Sequence, residues 1–470
     1  MILWMLAVAL GATVDDASPV SLRANATDGT FRDSLDFLEQ PARLSWQEGA
    51  DIWSQLALRS GSTGLDVGTV AAVKGGAVGA NLRFVRASNR TNRADAPDLY
   101  AYNSNDLRFT IATAHALSPT WGFGFGLWGR ARLGSMLSWT PSDTDGALDD
   151  PSTDVRMHSD SAQAGLRVGF VHQVDDRELD VHARLIWDQV LDSAHGSADG
   201  MTVDGFVDEA ILSRGVAFAG HNRRTWAGAV TVDHLQPTPG RLALRTYVDV
   251  LAQGGGVAQA HFDQTVDQLG EVHSLWSQVG SVGASLDLRL LGRARWEKLD
   301  LWFGGRAFAR FETFHGVRDL TEQDPAGDPV FSESTEVLAR EGSLLLAVPI
   351  SLEAKVHSRV TFRAAAVAYW HLNGTGKRTS TVAGFDSEPT ARVWSDYTGA
   401  SAHTGMRWRP VDLLDWDVDL GVGSTGGYLS GATGSGGSGS GEPTIPDVSQ
   451  LGFSTFNLDL NVSTSLTLRL

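Results

Sequence analysis

The last fifteen residues, FNLDLNVSTSLTLRL (456–470), set the interpretation of the whole chain, because apolar and polar side chains alternate along all of them. Even-numbered positions from Phe456 to Leu470 are apolar except Thr464, and odd-numbered positions are all polar. Successive side chains of a β-strand point to opposite faces, so this pattern predicts a strand with one apolar and one polar face. Its length exceeds the ~5–6 residues of a typical soluble strand and satisfies the ~9–11 that a tilted strand needs to cross a bilayer.

The same alternation recurs along the chain, and the connections between the alternating segments are short and long in turn. Outer-membrane barrels have short periplasmic turns and long outer loops. The sequence therefore predicts an all-β fold, an antiparallel transmembrane β-barrel of about fourteen strands. We expect these strands near residues 77–88, 105–115, 121–134, 161–173, 178–189, 225–235, 241–252, 277–290, 298–312, 343–354, 359–371, 400–409, 414–424 and 453–470.

The N-terminal part divides into two predicted segments ahead of a barrel at 77–470. Residues 1–12 contain an apolar run that ends in small residues, typical of a signal peptide for Sec export; a buried strand is the alternative. Residues 13–76 are predicted as a periplasmic or plug-like segment. Within them, 45–58 and 64–73 could be two more strands, which would give sixteen.

Composition excludes several function classes. The chain of 470 residues has no Cys, so Cys-ligated metals, disulfides and a Cys nucleophile are excluded. It carries 55 acidic against 38 basic residues, a formal charge of −17, which argues against a nucleic-acid binder. The predicted long connections hold 28 of the acidic and 11 of the basic residues. The whole net charge is therefore expected on the outer rim of a neutral barrel.

Charged residues on the predicted inner face are the main candidates for function. Two interpretations stay open: a structural network of arginine–carboxylate pairs, or a channel wall that tunes selectivity. Arg130 and Arg132 facing a ladder of aspartates would form a constriction like that of a porin. The candidate lumen and selectivity residues are Arg130, Arg132, Arg306, Arg310, Arg407, Arg409, Asp415, Asp417 and Asp419.

Acidic residues of the connection 141–154 are the one candidate metal site. Asp143 and Asp145 begin a calcium-loop-like pattern, joined by Asp149 and Asp150, but the closing Glu of an EF-hand is missing. A solvated loop is the simpler interpretation, with divalent cations as candidate partners. No cofactor motif is present, and no catalytic residues are assigned, so an enzyme is not predicted.

Two G-x-G-x-x-G matches occur, the first at Gly124, Gly126 and Gly129. They lie in predicted strands with no helix following, so the geometry that cradles a phosphate is absent. We interpret these glycines as inward-facing positions that make room for a plug or a close side chain.

Fourteen strands behind an N-terminal segment resemble the long-chain fatty-acid transporter (FadL-like) superfamily. Members often carry Asn-Pro-Ala in that segment, and the nearest match here is Gln40-Pro41-Ala42. The resemblance implies a plugged barrel that passes apolar molecules across the outer membrane. The C-terminus resembles the outer-membrane assembly signature, but it ends in Leu470 instead of an aromatic residue.

These observations predict a bacterial outer-membrane channel for passive uptake or export of small molecules, hydrophobic ones being implied by the resemblance. One alternative is a non-conducting barrel that anchors or assembles a secretion or surface complex. Another is a soluble secreted β-protein that binds glycans. The expected partners are outer-membrane lipid, the barrel-assembly machinery and a small-molecule permeant.

Overall fold

The structure is a computed structural model of the chain. It describes residues 38, 40–59, 62–92, 99–140, 153–198, 201–203, 210–212, 215–238, 240–266, 272–323, 329–381, 391–434 and 457–470. The predicted signal peptide at 1–12 lies outside the described residues.

Sixteen antiparallel strands form one closed barrel, in which each strand pairs with its neighbour in sequence and the last pairs with the first. Closure runs from Asp51↔Arg469 to Arg59↔Asn461. Two further short strands, β8 and β9, form a separate small sheet between the seventh and eighth barrel strands. The strands are β1 (Ala50–Arg59), β2 (Ser62–Val73), β3 (Gly76–Asn92), β4 (Leu99–Ala116), β5 (Trp121–Thr140), β6 (Thr153–Val174), β7 (Arg177–Ala198), β8 (Met201–Val203), β9 (Ala210–Leu212), β10 (Gly215–Pro237), β11 (Leu242–Val266), β12 (Val272–Arg295), β13 (Leu299–Gln323), β14 (Pro329–His357), β15 (Val360–Thr381), β16 (Ala391–Val411), β17 (Leu414–Gly434) and β18 (Asn457–Arg469).

The predicted count of fourteen strands is wrong, and the alternative of sixteen is confirmed, because β1 and β2 belong to the barrel. Their alternation is weak in the sequence for a physical reason. Trp53 and Ala57 face the interior and are buried, while Ile52 and Leu56 face outward. Both faces of β1 are therefore partly apolar, which hides the two-residue period.

The fourteen other strands lie where they were predicted, but most extend further toward one rim. The longest, β14, has 29 residues, and it takes in part of the predicted long connection at 313–342. Seven short turns, at 74–75, 117–120, 175–176, 238–241, 296–298, 358–359 and 412–413, lie at the rim where the chain ends. The long connections all leave from the opposite rim, as expected for a barrel with a periplasmic and an outer end.

Apolar and charged side chains are distributed in the opposite way to those of a soluble protein. Large apolar side chains such as Phe109, Leu185 and Leu290 are exposed on the outer face, whereas Asp180, Asp233 and other charged side chains are buried inside. An apolar belt of this extent requires lipid as its solvent. The soluble glycan-binding alternative does not fit this exterior.

The outward-facing tryptophans also fit the membrane interpretation. Trp121, Trp408 and Trp416 are exposed and lie close to the short turns, with the Trp408 and Trp416 rings 5.9 Å apart. Aromatic girdles occupy this level in membrane barrels. Among the described residues, no helix is long and apolar enough to cross a bilayer.

A short 3-10 helix, Pro41–Trp46, precedes β1 and packs against β3, β4, β5 and β6. Pro41, Ala42, Leu44 and Ser45 are buried. The neighbouring Leu38 and Leu44 form an apolar cluster with inward-facing Trp53 and Val70. This helix therefore lies on the inner face of the barrel, near the rim of short turns.

Candidate functional site: the charged inner wall

Charged side chains line the inner wall in clusters that join neighbouring strands. Each cluster combines at least one carboxylate with an arginine, and most members are largely buried. A buried charge is costly unless it is paired and hydrogen-bonded. The pairing therefore makes the charged wall physically tolerable.

The most buried cluster centres on Arg43 of the 3-10 helix. Its guanidinium lies 2.8 Å from Glu178, 2.9 Å from Asp180 and 2.7 Å from Asp233. Arg245 of β11 also binds Asp233, through Nε and NH2 at 2.8 and 2.7 Å. Two arginines thus share one carboxylate, and three strands are tied to the N-terminal segment.

The electrostatics of Arg43 favour its charged form. Burial lowers the pKa of the guanidinium, but the attraction of Asp233, Glu178 and Asp180 outweighs burial and raises the pKa above its ordinary value. Only 5% of the side chain is exposed. Arg43 is therefore a permanent buried cation held by surrounding anions.

Glycines of β5 explain how the 3-10 helix can approach the wall so closely. A Cβ atom added at Gly124 would lie 2.1 Å from the backbone nitrogen of Ala42, and one at Gly122 would lie 2.3 Å from Ser45 Oγ. Neither position can carry a side chain while the helix keeps its place. The predicted role of inward-facing glycines is confirmed at these positions, but Gly129 faces outward, against the Phe109 ring.

A second cluster lies further along the same part of the wall. Arg184 of β7 donates two hydrogen bonds to Asp249 of β11, at 2.7 and 2.8 Å. Thr231 of the intervening β10 donates to the same carboxylate. The cluster spans three strands, and all three of its members are buried.

Arg130 and Arg132 of the predicted site lie on β5 beside Asp106 of β4. Arg130 donates to both oxygens of Asp106, with a shortest distance of 2.6 Å. Arg108 lies 3.6 Å from the same carboxylate, and Arg132 also interacts with it electrostatically. One carboxylate therefore interacts with three arginines.

Arg306 and Arg310 of the predicted site lie on β13. Arg306 donates to Asp287 of β12 at 2.9–3.0 Å, and Arg289 contacts the same carboxylate at 2.7 Å. Arg310 contacts Glu312, two residues further along the same strand face, at 2.6 Å. Both predicted arginines are thus members of local pairs.

The aspartate ladder of β17 is held by arginines of the strands around it. Arg409 binds Asp415 at 2.7 Å, and Arg407 binds Asp417 at 3.0 Å. Arg469 also reaches Asp415, at 2.6 Å, and Arg363 reaches Asp417, at 3.2 Å.

The third aspartate of the ladder, Asp419, lies against β16. A Cβ atom added at Gly405 would lie 1.8 Å from Asp419 Oδ1. The glycine therefore leaves the room that this carboxylate occupies. The predicted ladder exists, since its three aspartates share the inner face of one strand.

In the structure, the predicted site residues pair with charged residues of neighbouring strands, and the predicted arginines of β5 do not meet the aspartates of β17. Arg130 and Arg132 engage Asp106, whereas Asp415 and Asp417 engage arginines of β15, β16 and β18. This arrangement is the one expected for a structural network of arginine–carboxylate pairs. A role of these residues in selectivity stays a prediction.

An apolar strip crosses the inner wall between the charged clusters. Ile186, Ala227, Ala229 and Leu251 form a buried cluster, and Trp128 packs against it. Trp128 can lie flat there because Gly165 has no side chain: a Cβ atom would come within 2.3 Å of the indole nitrogen. Of this group, the Trp128 ring is the part that is partly exposed to the interior of the barrel.

The candidate cation loop with Asp143, Asp145, Asp149 and Asp150 lies outside the described residues. Within the described ranges, no group of three or more His, Asp or Glu side chains is placed to hold a metal ion.

No protein-family model and no curated protein matches the chain. Solved structures do resemble it in fold. The chain is similar to the Pseudomonas putida toluene transporter TodX, at TM-score 0.44 and 11% identity, with 95% of this chain and 97% of that chain covered. It is similar to the CymD monoaromatic hydrocarbon channel, at TM-score 0.40 and 10% identity, with 96% and 97% covered. A Pseudomonas aeruginosa FadL homologue gives TM-score 0.39 and 13% identity, with 95% and 96% covered.

These similarities concern the fold.

The residue that sequence reasoning missed is Arg43. It directly follows the Gln40-Pro41-Ala42 motif of the N-terminal segment. The signal that could have found it is the pair of inward glycines in GFGFG (122–126), since inward glycines need a segment to pack against them.

Proposed function

We propose that this protein is an outer-membrane channel for the passive passage of small molecules. The observation that carries the proposal is the closed sixteen-strand barrel with a charged inner wall. Barrels of 16–18 strands are too wide for side chains alone to fill, and they leave an aqueous path.

The N-terminal segment closes the periplasmic end of this channel in the resting state. The support is the position of Pro41–Trp46 on the inner face and the three carboxylates that hold Arg43. Passage then requires that the segment shift, or that permeants pass beside it.

Permeants with an apolar part are the better candidates. Trp128, which packs over the buried strip and is itself partly exposed, offers an apolar surface of the inner wall between charged clusters. An aromatic ring can stack on an indole face, while polar parts of the same molecule meet the neighbouring ion pairs.

Conductance and uptake measurements test the proposal. Purified, folded protein in planar bilayers should give discrete current steps, and the steps should grow when Gly124→Ala displaces the 3-10 helix. In liposomes, a small aromatic solute should enter faster through the wild type than through Trp128→Ala. Trp416→Ala, which removes an outward-facing indole, is the matched control and should leave uptake unchanged.

Failure would be equally clear. If neither the wild type nor Gly124→Ala gives current or solute entry, the channel is refuted and the non-conducting anchor takes its place. If both conduct but Trp128→Ala changes nothing, the channel stands and the preference for apolar permeants falls.

A further inference from the structure

Cationic side chains line the inner face of the barrel at the rim of short turns, where β11, β12, β13 and β14 meet. Residues two apart on a strand share a face, and the inward-facing Arg293 binds the inward-facing Asp300. Arg295, the register partner of Asp300, lies 3.6 Å from it on the same face. By the same alternation, four inward-facing positions of this rim are cationic and exposed, and we call them the rim row: Arg241, Arg295, Lys298 and Lys355.

The rim row places like charges directly opposite each other on neighbouring strands. The backbone N–H of Arg295 donates to the carbonyl of Arg241 at 2.9 Å, and that of Lys355 donates to Lys298 at 2.8 Å. These bonds continue the β11–β12 and β13–β14 ladders by one residue, so the alternation of faces holds up to the rim. Cross-strand pairs of like charge destabilise a sheet. An anion between the side chains would offset that cost.

Most acidic side chains near the rim row are already engaged. Asp300 is bound by Arg293, and Glu353 is bound by Arg363. Among the residues that the structure describes, three members of the rim row form no ion pair, namely Arg241, Lys298 and Lys355. Glu297, exposed in the turn beside them, is a single negative charge against these three cations. This part of the rim therefore attracts anions.

The rim row lies on a different side of the barrel from the described part of the N-terminal segment. The 3-10 helix packs against β3 to β6, and Arg43 extends its contacts to β7 and β10. The rim row follows on β11 to β14. A solute that passes beside the described segment therefore passes the rim row.

The two ends of the barrel also differ in charge. The predicted long connections, which leave from the opposite rim, hold 28 acidic and 11 basic residues. Low-dielectric walls focus the field of fixed charges on a solute between them. An anion is therefore attracted to the mouth formed by the short turns and repelled at the other mouth.

We propose that the rim row binds the carboxylate group of small organic anions, and that the permeants of this channel belong to that class. The inference rests on the proposed function, to which it adds the charge of the permeant. Lys and Arg side chains on neighbouring strands offer separate donors that hold a carboxylate by charge-assisted hydrogen bonds. Aromatic carboxylates combine this charge with the apolar part that Trp128 favours.

Fluorine NMR of the folded full-length protein in a non-ionic detergent tests binding without requiring passage. The probe is 4-fluorobenzoate, and its neutral counterpart is 4-fluorobenzyl alcohol. In the wild type, the signal of the carboxylate should broaden more than that of the alcohol. The triple variant Arg241→Gln, Lys298→Gln and Lys355→Gln should weaken carboxylate binding by up to about eightfold at low salt, since one charge about 8 Å away in water is worth about twofold. Binding of the alcohol should not change.

A matched control removes the same charge from the other face of the barrel. Arg86→Gln, Arg177→Gln and Arg340→Gln together take three exposed cations from outward-facing positions, and they should leave binding of 4-fluorobenzoate unchanged. Arg295 is kept in both variants because it contacts Asp300. Folding of each variant is checked by its faster migration on unheated gels.

Reversal potentials in planar bilayers extend the test to passage. In a gradient of potassium benzoate, the wild type should pass benzoate in preference to K⁺, and the triple variant should lose this preference. The difference should vanish at about 1 M salt, where the Debye length is only about 3 Å.

Equal broadening of the two probes by the wild type would overturn the proposal, as would equal losses in the triple variant and its control. Release of the bound probe by an equal concentration of inorganic phosphate would assign the rim row to free inorganic anions and refute its preference for carboxylates. If the triple variant does not fold, the single changes Lys298→Gln and Lys355→Gln take its place, each with an expected loss of about twofold.

Failure of the channel itself would look different. Binding of 4-fluorobenzoate without current, in the wild type and in Gly124→Ala alike, would refute the channel and the permeant class together, while the anion site would stand. Current without a preference for benzoate would leave the channel in place and refute the permeant class alone.

Discussion

Arg43 donates a hydrogen bond to Asp233 at 2.7 Å, although 190 residues separate the two in the chain. The carboxylate is fully buried, and it also accepts two hydrogen bonds from Arg245. The contact joins the segment ahead of the barrel to the wall of its eighth and ninth strands, β10 and β11. It is therefore the point at which the N-terminal segment is most firmly held.

Replacing Arg43 with Gln should destabilise the folded protein by about 3–5 kcal/mol, because it removes a cation that three carboxylates share inside the barrel. Urea unfolding in lipid vesicles measures the loss. Limited proteolysis should also cut the N-terminal segment faster in the variant. Lys74→Gln, at an exposed turn, should show neither effect.

A double-mutant cycle separates the ion pair from general damage. Arg43→Gln combined with Asp233→Asn should cost less than the sum of the two single changes, since coupled neighbours are not additive. Strict additivity would contradict a direct interaction between the two side chains.

Gly124→Ala should displace the 3-10 helix, because the added Cβ would lie 2.1 Å from the backbone nitrogen of Ala42. The expected results are larger single-channel currents and a loss of stability of about 1–3 kcal/mol, typical of overpacking.

Gly126→Ala is the matched control, since the nearest atoms to its added Cβ are 3.6 Å away, an ordinary contact. The packing argument fails if both variants behave alike.

Changing one charge of the β17 ladder should shift ion selectivity in a direction set by its sign. Asp417→Asn removes the carboxylate that Arg407 and Arg363 share and should favour anions, whereas Arg407→Gln should favour cations. One charge about 8 Å from the path in water-like surroundings is worth about 0.5 kcal/mol, or a factor of about two in the permeability ratio.

Reversal potentials in a salt gradient measure this change in selectivity. Shifts of the same sign in both variants would mean that the network has only a structural role.

The acidic connection 141–154 gives a prediction that depends on the sequence alone. If Asp143, Asp145, Asp149 and Asp150 bind divalent cations, millimolar Ca²⁺ should protect this connection from proteolysis. Replacing all four with Asn should abolish the protection, while a matched change of exposed Asp175 and Asp176 in a short turn should not. No protection in the unaltered protein would reduce these residues to a solvated acidic loop.

The sequence by itself determined the class of fold, because lipid outside and water inside impose a two-residue period that can be read from any long strand. It located fourteen strands, six of the seven short turns and the rim that carries the long connections. It failed at β1 and β2, where Trp53 and Ala57 make the inner face apolar and blur the period.

Only the tertiary structure decided which charges meet. Periodicity puts Arg130, Asp106 and Asp417 on the inner face, but strand register sets which side chains touch. In the closed barrel, Arg130 binds Asp106 of the adjacent strand and not the aspartates of β17, which bind arginines of their own neighbouring strands. The same holds for Arg43, because its contact with Asp233 depends on a segment that folds back over 190 residues, and this is not encoded in local periodicity.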